Sequence, residues 1–177
     1  MIFSNIKRFS SHGRGSFDLK DFKKIGDNIV FELNVLVFHP ENISLGSNIY
    51  IGHNSILKGY CENEMIINND TWIGQGCFFH SAGGITIGQA VGIGPYVKIL
   101  TSFHKETNIN IPVMHNRLDF EPVTIKDGAD IGVGTIVLPG TTIGEGAIIG
   151  AGSIITKNIP DYAVAFGTPA VVSRIRK

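Results

Sequence analysis

Hydrophobic positions along this chain follow a period of six residues. Aliphatic residues, with one phenylalanine among them, occupy every sixth position in four blocks: Leu45, Ile51 and Leu57; Ile67, Ile73 and Phe79; Ile87, Ile93 and Ile99; and Ile125, Ile131, Val137, Ile143, Ile149 and Ile155. Four residues after many of them comes a second set of mostly small residues: Ser55, Cys61, Thr71, Cys77, Gly83, Val91, Val97, Thr135, Thr141, Ala147 and Ser153. A period of six matches neither an α-helix nor a long alternating strand. Each hexad is therefore predicted to be a short strand followed by a corner.

Three such hexads would close one triangular coil of about eighteen residues. Stacked coils would pair as parallel strands about 4.8 Å apart, with the bulky column inside and the small column at the vertices. Glycine directly follows many of the aliphatic positions, and we interpret it as giving the corners their backbone freedom. A β-sandwich, the ordinary alternative, would not keep a strict six-residue phase from 125 to 155. The pattern predicts an all-β fold, a parallel β-helix.

The phase of the repeat divides the chain into three parts. Residues 1–24 form an N-terminal segment, and residues 25–160 form the β-helix, in which 25–42 make one degenerate coil. Residues 161–177 leave the repeat and are predicted to form a short C-terminal extension that caps the open end, because a solenoid must protect its last strand edge.

The repeat stops just after His104 and resumes at "VTIKDGADIGVG". Residues 105–122 are therefore predicted to form a protruding loop. Four apolar residues lie on this excursion, and they predict that another surface covers it: Ile109, Ile111, Val113 and Met114.

Charge and cysteine content restrict the class of protein. Basic and acidic residues are equal in number, 15 of each, and the pI is near 7.0, so nucleic acid is not expected as a partner. No apolar run is long enough for a signal peptide or a membrane span, which leads us to expect a cytoplasmic protein. Cys61 and Cys77 lack a C-x-x-C spacing and are expected to be reduced, internal thiols.

The stretch "PVTIKDGADIGVGTIVLPGTTIGEGAIIGAGSIITKNIPDYAVAFGTPA" resembles the hexapeptide-repeat acyltransferases, in particular the galactoside and maltose acetyltransferases and the enzymes that acetylate nucleotide-linked sugars for surface glycans. The likeness covers about residues 25–174, and its most specific parts are "IGAGSIITKNIP", "GTPA" and a histidine that opens a loop ahead of "PVTI". The resemblance implies a left-handed solenoid, acetyl-CoA as co-substrate, and a homotrimer with active sites between neighbouring prisms.

In the family this resembles, the histidine at the base of the loop acts on the acceptor, which makes His104 the candidate catalytic residue. An imidazole suits proton removal from a hydroxyl or an amine at neutral pH. The alternative is a surface histidine at a loop hinge. No carboxylate partner is predicted for His104, and a backbone carbonyl could orient its ring equally well.

The resemblance also suggests residues that bind the acceptor. His80, in "CFFHSAGG", occupies the position of an acceptor-holding asparagine in galactoside acetyltransferases. We expect His80 and His104 to face one cleft, with a solvent-facing histidine as the alternative for His80. Arg117, together with His115, could reach into the cleft from the loop.

For CoA, the resemblance implies contacts from Ala151, Thr156 and Lys157, and from Arg174 near the nucleotide end. A cation beside the CoA phosphates is chemically sensible. The alternative for the C-terminal "RIRK" is a solvated tail.

Two positions depart from the family pattern. Asp130 replaces an aromatic residue that packs on the pantetheine arm, and Val133 stands where galactoside members have a serine that helps to bind the cofactor. The resemblance therefore does not carry those two contacts over to this chain.

Two other functions remain open. A γ-type carbonic anhydrase uses the same prism, but its zinc site would need three histidines, and His104 has no close histidine partner on its own coil; we therefore expect no metal. A catalytically idle scaffold is distinguished by failure to bind CoA. The identity of the acceptor, O- versus N-acetylation and the acyl group itself are not encoded in the repeat.

Overall fold

The computed structural model describes residues 9–60, 63–106 and 108–177. The described chain winds into a prism whose three sides are sheets of very short parallel strands. No described helix is both long enough and apolar enough to span a bilayer. Cys61, one of the predicted internal residues, lies outside the described residues.

Each side of the prism takes one strand from every coil. Sheet 1 contains β1 (Lys24–Ile25), β4 (Ile43–Leu45), β7 (Met65–Ile67), β10 (Ile85–Ile87), β15 (Val123–Ile125) and β18 (Thr142–Ile143). Sheet 2 contains β2 (Ile29–Phe31), β5 (Ile49–Ile51), β8 (Trp72–Ile73), β11 (Gly92–Ile93), β16 (Asp130–Ile131), β19 (Ile148–Ile149), β21 (Ala163–Gly167) and β22 (Ala170–Ile175). Sheet 3 contains β3 (Leu36–Phe38), β6 (Ile56–Lys58), β9 (Phe78–His80), β12 (Lys98–Leu100), β17 (Ile136–Val137) and β20 (Ile154–Ile155).

The core is the bulky column read from the sequence. Ile87 pairs in register with Ile67 and Ile125 in neighbouring coils, and all three are fully buried. The small column is buried as well wherever the structure describes it. Cys77, for example, is a free thiol whose Sγ donates to the Gly94 carbonyl at 3.3 Å, and burial raises its pKa to about 11. The prediction of a parallel β-helix with two interior columns is confirmed.

The glycines that follow the aliphatic positions correct our interpretation of the corners. None of them has a positive φ, so their role is not backbone freedom. A β-carbon on Gly74 would lie 2.6 Å from the backbone nitrogen of Pro95, and one on Gly132 would lie 2.5 Å from the nitrogen of Ala151. These glycines are required because the next coil passes too close for a side chain.

The left-handed backbone conformation occurs at other corner positions. Between sheets 1 and 2 these are mainly asparagine and aspartate in the first coils, with φ of 56°, 58° and 58° at Asn28, Asn48 and Asp70. Their side chains form a ladder, because the Asn28 amide donates to Asn48 Oδ1 and the Asn48 amide donates to Asp70 Oδ1, each at 2.8 Å. Later coils use Gly128 and Gly146 at the equivalent corner. Asparagine and glycine are the residues that adopt this conformation at lowest cost.

The first end of the prism is closed by an aromatic cluster that has no six-residue period. The rings of Phe17 and Phe31 lie 4.8 Å apart, and Phe22 packs edge-on against Phe17 at 5.7 Å. A 3₁₀ turn at Leu19–Asp21 brings Phe22 into this position, where it is buried. The N-terminal segment thus covers apolar surface that the first coil would otherwise expose.

The opposite end is closed by a strand reversal. β21 pairs in parallel with β19, and β22 then folds back antiparallel on β21. Arg176 fixes the reversal, because its Nη1 donates to the Gly146 carbonyl at 2.6 Å. The end of the chain is therefore anchored up to Arg176.

Candidate active site

An antiparallel hairpin leaves the prism at the corner that follows β12. It consists of β13 (Ser102–His104) and β14 (Leu118–Phe120), with a 3₁₀ turn at Val113–His115 between them. Thr101 anchors its base, because the Thr101 hydroxyl donates to the His80 carbonyl at 2.6 Å and accepts from the Gly83 amide at 2.8 Å. The break in the repeat after His104 is therefore the outward arm of this hairpin.

His104 lies at the end of β13, half-buried, and is oriented by the backbone of the returning arm. Its Nδ1 lies 3.2 Å from the carbonyl oxygen of Asn116. A carbonyl oxygen only accepts hydrogen bonds, so Nδ1 must carry the hydrogen. In the neutral imidazole this leaves the lone pair on Nε2, the nitrogen that a general base needs.

The two arms of the hairpin are held in register beside this histidine. The Lys105 amide donates to the Arg117 carbonyl at 2.9 Å, and the Lys105 ammonium pairs with Asp119 at 3.2 Å. His104 itself pairs with Leu118 in the ladder. Arg117 is exposed on the returning arm, two residues after His115.

His80 lies on the same corner, in different surroundings. In sheet 3 it stands between Lys58 and Leu100 in register, and its ring packs on Tyr60 at 4.7 Å and on Phe78 at 6.2 Å. Burial lowers the pKa of His80, and the positive charge of Lys58 lowers it further. His80 is therefore favoured as a neutral imidazole at pH 7.

His80 and His104 lie at the same corner of the prism, between sheets 3 and 1, and their facing one cleft stays a prediction. The hairpin base is tied to the His80 backbone through Thr101, but the imidazole of His80 faces the aromatic rings of its own sheet, whereas that of His104 faces Asn116. The two imidazoles thus have different surroundings at the same corner of the prism.

The predicted CoA residues fall on two corners and one outer face. Thr156 and Lys157 are exposed directly after β20, on the same corner as the hairpin. Ala151 is exposed on the corner between sheets 2 and 3, and Arg174 is exposed on β22, where it pairs with Val164. Within one chain, these residues therefore lie apart from one another, on two corners and on the outer strand of sheet 2.

Two features of the site were not predicted. The sequence allows a backbone carbonyl to orient His104 but carries no signal that it is the one of Asn116. Lys58, by contrast, follows a core-column residue just as His80 does, and this shared position would have placed it one coil below His80. The Lys58 ammonium lies 5.6 Å from the centroid of Phe38 and 5.2 Å from that of Tyr60, which is cation–π range.

Among the described residues, no group of three or more His, Cys, Asp or Glu side chains is placed to hold a metal ion. No family model matches the chain.

Relatives of known name align with most of this chain. The galactoside O-acetyltransferase of Lactococcus lactis is 34% identical over 88% of the chain and 64% of its own length. A Dictyostelium discoideum protein provisionally named as an acetyltransferase is 34% identical over 85% of the chain and 67% of its own length. The chain spans less than two thirds of the length of the first relatives it matches, between 44% and 64%.

Solved structures share the fold. AntD, an N-acyltransferase from Bacillus cereus crystallised with dTDP-4-amino-4,6-dideoxyglucose and coenzyme A, superposes with a TM-score of 0.79 at 22% identity, covering 89% of this chain and 85% of that one. The hexapeptide-repeat acetyltransferase VCA0836 from Vibrio cholerae superposes with a TM-score of 0.67 at 22% identity, covering 89% and 76%. With its left-handed parallel β-helix and these relatives, the chain belongs to the hexapeptide-repeat acetyltransferase family.

Proposed function

We propose that this protein transfers an acetyl group from acetyl-CoA to a sugar hydroxyl, or to the amine of a nucleotide-linked amino sugar, in the cytoplasmic steps of surface-glycan biosynthesis. Membership of the family supports the reaction class, and the ligands of AntD support both CoA and an amino-sugar nucleotide. The observation that carries the proposal is the hydrogen bond from His104 Nδ1 to the Asn116 carbonyl, because it leaves Nε2 free to accept a proton.

The mechanism needs only His104 and a well-placed acceptor. Nε2 takes the proton from the acceptor hydroxyl as the oxygen attacks the thioester carbonyl carbon, so that a C–O bond forms. The C–S bond then breaks, and the departing sulfur takes the proton back from the imidazolium. The products are an acetyl ester and a free thiol, and His104 returns to its neutral form. The Asn116 carbonyl stabilises the imidazolium while it lasts, through the Nδ1 hydrogen. With an amine acceptor, the same steps give an amide.

The residues assigned to CoA have the chemistry that this role needs. Lys157 and Arg174 are exposed, and neither forms an ion pair with any residue that the structure describes, so both charges are available to phosphate groups. Ala151 lies in a turn whose exposed backbone can contact the pantetheine arm. His80 and Arg117 are assigned to the acceptor.

We expect the protein to be a homotrimer. Six apolar residues of the hairpin and its loop are exposed in the single chain: Phe103, Ile109, Ile111, Val113, Met114 and Phe120. Surfaces of this kind are usually covered by another subunit. Sedimentation equilibrium at micromolar concentration should give about three times the 19.1 kDa chain mass. A monomer would overturn the idea that sites lie between prisms.

Replacing Lys157 by alanine should weaken CoA binding by roughly two- to tenfold at low salt, as expected for one exposed charge beside a phosphate. The loss should shrink at high salt, because the contact is electrostatic. Calorimetric titration with CoA measures this. Lys24→Ala is the matched control, since Lys24 is an exposed lysine in the first coil, at the other end of the prism. Equal affinities for the two variants at low salt would remove Lys157 from the site.

The proposed function is tested by following thiol release from acetyl-CoA in the presence of simple sugars, amino sugars and nucleotide-linked amino sugars. Cys77 adds little background, because burial raises its pKa to about 11 and leaves little thiolate. Saturable release with one class of acceptor is the expected result. No release and no CoA binding would favour a non-catalytic scaffold.

A further inference from the structure

The outer face of sheet 2 carries a column of side chains that is interrupted once. In register along successive strands stand Val30, Tyr50, Trp72, Gly92 and Asp130. Each of these five residues directly precedes a residue whose side chain points into the prism. Because side chains alternate along a strand, the five positions face away from the prism. Gly92 is the one member of this set without a side chain.

The backbone does not require a glycine at position 92. Its φ is ordinary, and a β-carbon there would meet only the Asp130 carboxylate, with Oδ1 at 2.9 Å and Cγ at 3.8 Å. The neighbouring Gly74 and Gly94 differ, because β-carbons on them would collide with backbone atoms at 2.6 Å and 2.7 Å. The missing side chain at Gly92 therefore leaves room above the strand that only the movable carboxylate of Asp130 reaches.

Two side chains of different chemistry, which we call its walls, border this space. On one side is the indole of Trp72, which is 45% exposed and stacked on Tyr50 with ring centroids 5.8 Å apart and planes 3° from parallel. Because Tyr50 covers one face of the indole, only the opposite face is available to a ligand, and Trp72 is the register partner of Gly92. On the other side the Asp130 carboxylate leans back over Gly92. Two strand spacings separate Trp72 from Asp130, about 10 Å between backbones.

Both walls attract positive charge. The face of a tryptophan ring binds cations within about 6 Å of its centroid, and a carboxylate pairs with them directly. Asp130 makes no ion pair with any residue in the described part of the chain. A flat neutral ring stacked on Trp72 would turn its face to the carboxylate and give it no N–H. An ammonium directs its N–H groups in three directions and can satisfy both walls.

We propose that the space over Gly92 is a binding slot for the ammonium group of a small amine, held between the Trp72 indole and the Asp130 carboxylate. The slot rests on the register of sheet 2 and on these three residues. Its occupation requires no acetyl transfer and can be measured without it.

Trp72 is the only tryptophan of the chain, so the intrinsic tryptophan fluorescence of the intact protein reports on the slot directly. We would titrate the protein near pH 6 with glucosamine and galactosamine hydrochlorides as probes, using glucose, galactose and N-acetylglucosamine at matched chloride as neutral controls. The amines should give a saturable change, and the neutral sugars should not. Gly92→Ala and Asp130→Asn should each weaken amine binding by roughly five- to tenfold, since the first places a methyl group in the slot and the second removes the negative charge that pairs with the cation.

Three results would overturn the proposal. One is an equal response to the neutral sugars, and another is undiminished amine binding in both variants. The third is a change in sedimentation mass on Gly92→Ala with no response of the wild type to amines, because the slot would then hold a side chain from a second copy. Thermal unfolding of Gly92→Ala and Asp130→Asn, compared with wild type, establishes that both variants are folded.

Discussion

With a hydroxyl acceptor, replacing His104 by alanine is expected to lower kcat by about 10²- to 10⁴-fold, the range for loss of a general base. The affinity for CoA and the subunit mass should stay nearly unchanged, because His104 lies on a strand of the hairpin and none of the residues assigned to CoA lies on the hairpin. Steady-state acetyl transfer measured by thiol release, together with CoA titration, separates the two effects.

His53→Ala is the matched control for this experiment. His53 is also a partly exposed histidine, but it pairs with Glu32 at 3.2 Å on the corner between sheets 2 and 3, two coils from the hairpin. Its replacement should leave the rate unchanged. A small effect of His104→Ala with a hydroxyl acceptor would remove His104 from the mechanism, and His80 would be the next residue to replace. With an amine that arrives unprotonated, a small effect would instead assign His104 to acceptor positioning.

Gly74→Ala is expected to destabilise the prism by roughly 1–3 kcal/mol or more, which is the cost of forcing atoms into a packed interior. The new β-carbon would lie 2.6 Å from the nitrogen of Pro95 and 2.9 Å from its Cα, and backbone atoms cannot move aside without shifting the next coil. Thermal unfolding at one fixed protein concentration should show a lower Tm, by about 2–4 °C per kcal/mol.

Gly92→Ala provides the contrast on the adjacent coil. Here the new β-carbon meets only the movable end of Asp130, so we expect a change within about 0.5 kcal/mol in either direction. Equal losses at positions 74 and 92 would contradict the view that glycine is needed for close approach between coils.

The core of this protein could be predicted from its sequence because every coil needs a bulky apolar residue at the same positions. Ile125 and Ile143 stand on successive strands of sheet 1, and both are fully buried, as their phase predicts. The role of the adjacent glycines was not readable. A glycine that permits a positive φ and one that permits a close approach look identical in a sequence, and only the position of the next coil distinguishes them.

The candidate site could likewise be predicted only in part. The break in the repeat locates His104 and the hairpin, because an interruption of a strict period is itself a sequence signal. The group that orients His104 is a carbonyl on the returning arm, and its position depends on how residues 108–117 fold back. The aromatic cap at Phe17, Phe22 and Phe31 escaped prediction for a related reason, since residues that close an end have no neighbouring coil to set their spacing.

The closed ends of the prism limit how its length could change. In the later coils, eighteen residues separate Ile125 from its partner Ile143, so inserting one whole coil between the caps would lengthen the prism by a single strand spacing of about 4.8 Å and leave every later residue on its own side. An insertion of six residues would instead rotate all that follows by one side. Placed between the hairpin and β20, it would carry Lys157 away from the corner that it shares with His104. Insertions between the caps can therefore preserve the site only if they add whole coils.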